Sequence, residues 1–225
     1  MTPRGGAQRI PRPAGARPGG PPPWAGLEDR VRPVTIDRVR AVVSGRGPGA
    51  APPFTVPDAR AAAVLVPLFE EDGAAWVVLT RRSSHLRNHR GDVAFPGGRQ
   101  DPGEDLMGAA LREAREEVGL APDRVEVIGE LDRLTTVSSG FEVAPFVGVL
   151  PGRPVLHPNL AEIARVFDVV LDELLDEGVY REETWELPWG EREVSFFELE
   201  GETVWGATAR ILRQLLVLVT GADAR

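Results

Sequence analysis

The residues best suited to chemistry are the carboxylates of Arg112-Glu113-Ala114-Arg115-Glu116-Glu117. On a helix, positions three and four apart share a face. Glu113, Glu116 and Glu117 then project within an arc of about 100°. Three like charges that close repel one another unless something positive sits among them. Hard divalent cations such as Mg²⁺ or Mn²⁺ favour oxygen sites of this kind. Arg112, one turn before Glu116, is placed to hold that carboxylate. Taken alone, the same face reads as a solvated surface with i,i+4 ion pairs. The upstream segment changes that balance. Phe95-Pro96-Gly97-Gly98 lets the backbone approach a ligand closely, and Glu104 follows at the start of a helix. A glycine turn feeding a helix N-terminus is a ready phosphate site.

Composition narrows the chemistry further. The chain has 225 residues and a formal charge of −8, with no cysteine. All its basic residues are arginine, because lysine is absent. Schiff-base chemistry and a lysine-bearing phosphate loop are therefore excluded, as are thiolate nucleophiles and zinc–cysteine sites. Apolar runs fall short of the roughly 18 residues that a membrane span needs. Charge is divided: residues 1–58 carry nine arginines against four acids, a balance of +5, and the rest carries −13. Nucleic-acid binding through the arginine-rich start is disfavoured by that acidic remainder.

The elements that must position the cluster follow from periodicity. Residues 1–23, rich in Pro, Gly and Arg, read as a disordered tail. They lack the serines and amphipathicity of a transit peptide. Residues 24–58 read as a short helix, Thr35–Val43, followed by a linker. From Ala61 the pattern is globular, and residues 59–225 are expected to form the catalytic domain. Ala61–Phe69 and Ala74–Thr80 flank a turn as a β-hairpin. Glu104–Val118 is helical and stops at Gly119. Val125–Leu131, Glu142–Leu150, Arg165–Leu171, Tyr180–Leu187 and Glu193–Leu199 read as strands, and Ala207–Val219 as a closing helix. Arg81–Gly103 reads as mostly loop. This order predicts a single α/β (α+β) domain.

With those residues placed, Gly98–Leu120 resembles the Nudix box, Gly-x5-Glu-x7-Arg-Glu-U-x-Glu-Glu-x-Gly-U with U apolar. Every fixed position matches: Gly98, Glu104, Arg112, Glu113, Glu116, Glu117 and Gly119, with Ala114 and Leu120 in the apolar slots. The resemblance implies an α/β/α sandwich around a mixed sheet and hydrolysis of nucleoside diphosphate derivatives with a divalent metal. It implies Glu113, Glu116 and Glu117 as metal ligands, with a backbone carbonyl near Gly98. Arg112 would orient Glu116, and Glu104 would support the loop.

A second, longer stretch, Leu79-Thr80-x-Arg82-Ser83-x-x-Leu86-Arg87-x3-Gly91-x3-Phe95-Pro96-Gly97-Gly98, is similar to the motif preceding the box in coenzyme A pyrophosphatases. Val78 stands where that pattern usually has leucine. Ser139-Gly140-Phe141, Pro145-Phe146-Val147-Gly148, Ala161-Glu162-Ile163 and Trp205-Gly206-Ala207-Thr208-Ala209 resemble the same subfamily, so the likeness spans roughly residues 60–216. It implies cleavage of coenzyme A or its thioesters to adenosine 3′,5′-bisphosphate and a 4′-phosphopantetheine product. Coenzyme A carries an extra 3′-phosphate, and Arg81, Arg82, Arg87, His89 and Arg90 supply a basic stretch that suits it. Arg82 and Arg87 occupy fixed positions of the motif and are the expected substrate contacts, with Gly97 and Gly98.

Other residues carry less. Glu162 is a fourth ligand or general base by positional analogy alone. His85, His89 and His157 lack a metal-binding spacing, and Ser139 has no base partner. Trp185, Trp189 and Trp205 read as core, with adenine stacking the alternative. Within the enzyme class, ADP-ribose or a dinucleotide remains the rival substrate; a ligand-binding regulator has no need of three carboxylates. The expectation is a cytoplasmic hydrolase of a small nucleotide substrate, with no nucleic-acid or membrane partner and a homodimer left open.

Overall fold

In the computed structural model, residues 4–86, 90–136, 139–188 and 190–223 are described. The scaffold starts from the hairpin of β2 (Arg60–Glu71) and β3 (Ala74–Arg82), which follows the edge strand β1 (Arg17–Pro18) and helix α1 (Ile36–Val43). Its two-residue turn, Asp72-Gly73, has positive φ at both positions (53° and 74°). Asp-Gly suits that mirror-image turn, whose twist matches the flanking strands. Along β2 the side chains alternate: Ala62, Val66 and Leu68 join one core cluster, Ala63, Leu65 and Phe69 the other. The sheet is therefore covered on both faces.

Six more strands complete that eight-stranded sheet: β4 (Val93–Ala94), β5 (Gly97–Arg99), β6 (Glu126–Glu130), β7 (Leu134–Thr136), β8 (Phe141–Val149) and β9 (Ile163–Val170). Its central order is β4-β3-β2-β8-β6, with β5 on β2, β7 on β8 and β9 on β3. The β2–β8 pair is parallel and the others antiparallel, so the sheet is mixed, as expected. Helix α2 (Leu106–Val118) packs Ala109, Ala110, Ala114 and Val118 into the cluster on one face. Alanines at those positions let the helix axis lie close to the strands. The opposite face takes α1 and α4 (Gly206–Thr220), through Val39, Val43, Ile211, Leu212, Leu215 and Leu216. Helix α3 (Leu171–Leu174) is a single turn after β9.

A second sheet, β1-β10-β11-β12, contains β10 (Tyr180–Leu187), β11 (Gly190–Leu199) and β12 (Glu202–Trp205). Here the structure departs from the disordered tail expected for residues 1–23. Arg17 and Pro18 pair with Thr184 and Glu183 at the edge of β10, Arg12 meets Glu183 at 2.8 Å, and the Gly5 N–H donates to Leu199 O at 2.7 Å. A sheet edge offers unpaired backbone groups to any segment that reaches it, and that contact leaves no apolar periodicity in the sequence. The expected linker is also tied down: Trp24 is buried between Tyr180 (centroids 5.0 Å apart, edge-on) and Phe197 (6.3 Å, stacked), and Asp132 accepts from Ala50 N–H at 3.1 Å. Among the described residues no helix is long and apolar enough to cross a membrane.

Candidate active site

The site begins where β5 closes on β2. Gly97 and Gly98 pair with Val64 and Ala63, so the stretch read as loop is a short strand at this point. A Cβ on Gly97 would lie 2.4 Å from Ala63 O, and one on Gly98 would lie 2.5–2.8 Å from the Glu113 carboxylate. The first glycine lets backbone meet backbone; the second lets a carboxylate reach the backbone. Loop 100–105 then turns into α2. Glu104 precedes that helix instead of starting it: Asp105 is the N-cap, accepting from Gly108 N–H at 2.6 Å. Gly119 ends the helix in the left-handed conformation, which glycine adopts without strain.

Arg112 holds this region together. Its guanidinium donates to both Glu104 oxygens (3.0 and 3.1 Å), Glu113 (2.9 Å), Glu116 (3.3 Å) and the Arg99 carbonyl (3.0 Å). The sequence expectation paired Arg112 with Glu116; the shorter contacts go to Glu104 and Glu113. The bond from Arg112 holds the Glu104 carboxyl below the usual carboxylate range, and the same bond raises Arg112 further above its ordinary value. Glu104 also accepts from Asp101 N–H at 3.2 Å, which ties the loop to the helix.

Glu117 lies deeper, only 3% exposed. It accepts from Gly97 N–H at 3.0 Å and faces the Arg82 guanidinium at 3.4 Å. Burial pushes its carboxyl up to about 7; Gly97 N–H and Arg82 oppose the rise, and the negative charges of Glu113 and Glu162 add to it. Glu113 is raised for the same leading reason, burial, against the pull of Arg112. Glu162 reaches this neighbourhood because β9 runs antiparallel to β3: Arg82 is in register with Ile163, and Ser83 N–H donates to Glu162 O at 2.7 Å. Sequence reasoning had only positional analogy for Glu162, and the strand pairing is the missing signal.

Among the described residues, no three carboxylates converge closely enough to grip an ion as they stand; Arg112 bonds Glu113 and Glu116, and Arg82 faces Glu117. The donor set nonetheless fits a hard divalent cation. It is all oxygen, and burial and like charge make the ionised forms of Glu113 and Glu117 costly, a cost that a cation relieves.

Other expected residues are scattered. Arg81 and Arg82 end β3, where the pairing with β9 shifts register between them; Arg81 reaches the buried Glu202 at 3.0 Å. His85 is exposed and His157 packs beside Gly119. Trp185 and Trp205 lie 6.2 Å apart in the second sheet. Arg87, His89 and Trp189 lie outside the described residues.

Comparison with known families decides what this arrangement belongs to. The NUDIX domain family matches residues 59–174, which contain the whole carboxylate cluster. The chain belongs to the Nudix family. Relatives from Photorhabdus laumondii and Citrobacter koseri, each described as an uncharacterized Nudix hydrolase NudL, are 41% identical. They cover 69% and 71% of this chain and 83% of their own length. A MutT/nudix family protein from Enterococcus faecalis shares the fold at 18% identity and a TM-score of 0.51, over 75% of this chain and 64% of its own. The protein is thus a Nudix hydrolase. Enzymes of the Nudix family use divalent metal ions and take small-molecule nucleotide substrates.

Proposed function

We propose that this Nudix hydrolase cleaves the pyrophosphate of coenzyme A or its thioesters, giving adenosine 3′,5′-bisphosphate and a 4′-phosphopantetheine product. The observation that carries the reading is the position of Arg82. It is a fixed residue of the motif ahead of the box, and it stands 3.4 Å from Glu117, the buried member of the carboxylate cluster. A guanidinium there can fork onto a phosphate while the carboxylates serve a cation.

Glu113, Glu116 and Glu117 would hold Mg²⁺ or Mn²⁺, with a backbone carbonyl at Gly98 and Glu162 as a further ligand. When bound, such an ion neutralises pyrophosphate oxygens and activates water for in-line attack on phosphorus. Arg112 fixes the directions of Glu113 and Glu116 and ties them to the loop through Glu104. Arg82 orients the diphosphate, and Arg87 is proposed to assist it. Gly97 N–H keeps the Glu117 carboxylate turned toward the turn. Water adds to phosphorus, the bridging P–O bond breaks, and the leaving phosphate departs with the electron pair.

The test is a comparison of kcat/KM across coenzyme A, an acyl derivative, ADP-ribose and a dinucleotide, with Mg²⁺ and with Mn²⁺. The coenzyme should be the best substrate class. A higher efficiency on ADP-ribose, with AMP released, would assign the enzyme to that substrate instead.

A further inference from the structure

The carboxylate cluster is one part of a larger cleft. Beside it lies a cavity of about 520 Å³, within the range of small-molecule sites. Arg81, Arg82, Arg90 and Gly91 line it, together with Gln8 and Arg9 from the N-terminal strap, a segment outside the 59–174 family match. Arg82 joins the cavity to the cluster, since it also faces Glu117. Among the described residues, none of the cluster carboxylates and no other acid lines the cavity.

The charge there is unbalanced. Arg81 is answered by Glu202, which is 1% exposed and also meets Arg165 at 3.3 Å. Arg82 is answered by Glu117. Among the described residues, Arg9 and Arg90 make no ion pair with a carboxylate; Arg90 instead donates to Leu86 O at 2.6 Å. Their two positive charges thus lie at the cavity without a carboxylate to match them.

The strap is built to stay in place. Gly6 N–H donates to Thr203 Oγ1 at 2.9 Å, and Thr203 N–H donates to Gln8 Oε1 at 2.8 Å. The Gln8 amide donates to Glu202 and, at 3.3 Å, to Gly91 O. A Cβ on Gly6 would lie 2.7 Å from Gly201 O and from Glu202 Cα, so only glycine permits that approach. Arg9 follows immediately after the anchored Gln8.

We propose that this cavity is a second anion subsite, taking a phosphate monoester on the nucleoside side of the substrate, with Arg9 as a binding residue. The diphosphate belongs at the carboxylates and Arg82, so the further guanidiniums call for a further anion. A phosphate monoester carries close to two negative charges at neutral pH, and arginine matches its oxygens in pairs. The identity of that group as the 3′-phosphate of coenzyme A rests on the function proposed above.

Calorimetry on the full chain, with adenosine 3′,5′-bisphosphate and with AMP as probes, tests it directly. The wild type should prefer the bisphosphate by about tenfold or more, as a charge-assisted contact provides. Arg9→Ala should remove most of that preference, and Arg9→Lys should keep part of it. Equal affinity of the wild type for both probes, or a preference that survives Arg9→Ala, overturns the subsite. The two proposals fail separately. A bisphosphate preference without coenzyme A hydrolysis removes only the substrate reading, and coenzyme A hydrolysis without the preference removes only the subsite.

Discussion

Arg112 shows how one side chain can organise a catalytic loop and helix together. Its fork reaches Glu104, Glu113, Glu116 and the Arg99 carbonyl at once, which a lysine ammonium, with no planar fork, cannot do. Arg112→Lys should therefore lower metal affinity or turnover by roughly 10–100-fold, the scale for residues that orient ligands. Manganese titration followed by initial rates checks this, and wild-type values in both would refute the role. The two adjacent glycines should separate stability from catalysis. A methyl at Gly98 meets the Glu113 carboxylate, the end of a side chain that Arg112 holds. Gly98→Ala should fold normally and lose turnover on the order of 10²-fold, as misplacement by about 1 Å can cause. A methyl at Gly97 meets the backbone of β2, so Gly97→Ala should lower unfolding stability by about 1–3 kcal/mol. Denaturant unfolding beside activity assays distinguishes the two patterns.

At the scale of elements, the second sheet offers a clean probe in Tyr180, the chain's single tyrosine. It sits edge-on to both Trp24 and Phe197 and bonds to Glu182 at 2.8 Å. Burial pushes its phenol up to about 12 from an ordinary 10.0; the Ser195 contact opposes the rise and the Glu182 bond adds to it. The unfolded chain therefore loses this proton first as pH rises. The stability the neutral phenol contributes is complete below pH 10.0 and declines between there and about 12. Phenolate absorbance of the folded protein should stay low through the ordinary range; titration near 10 would contradict the packing. Strongly patterned elements were legible from sequence: the β2–β3 hairpin, the capped α2 and the closing α4 fall within two residues of expectation. Strands β5, β7 and β12 were not. Their three or four residues are too few for alternation to register, and β5 is two glycines and an arginine whose strand character comes from its partner.

For the whole molecule, residues 4–58 belong to the fold more closely than their composition implies. Their proline content and positive balance describe a flexible tail, whereas their anchors are a sheet edge, hydrogen bonds to backbone and one buried tryptophan. None of these has a sequence period. Trp24→Ala should cost about 3–5 kcal/mol, the range for a large core aromatic, measured by denaturant unfolding; a loss under about 1 kcal/mol would mean the segment does not pack as described. The candidate site was more legible than the fold around it. Seven spaced residues brought together Gly98, Glu104, Arg112 and three glutamates, because a helix turns sequence spacing directly into proximity. Glu162 and Arg9 come from distant strands and loops, and their proximity depends on pairing that spacing does not encode.

Hydrolysis at the coenzyme A pyrophosphate is the central proposal. Purified protein incubated with coenzyme A and Mg²⁺ or Mn²⁺, with products identified by mass, should yield adenosine 3′,5′-bisphosphate and 4′-phosphopantetheine. The Glu116→Gln, Glu117→Gln double variant, still folded, should yield neither. Undiminished products from that variant, or intact coenzyme A alongside AMP released from ADP-ribose by the wild type, would contradict the account.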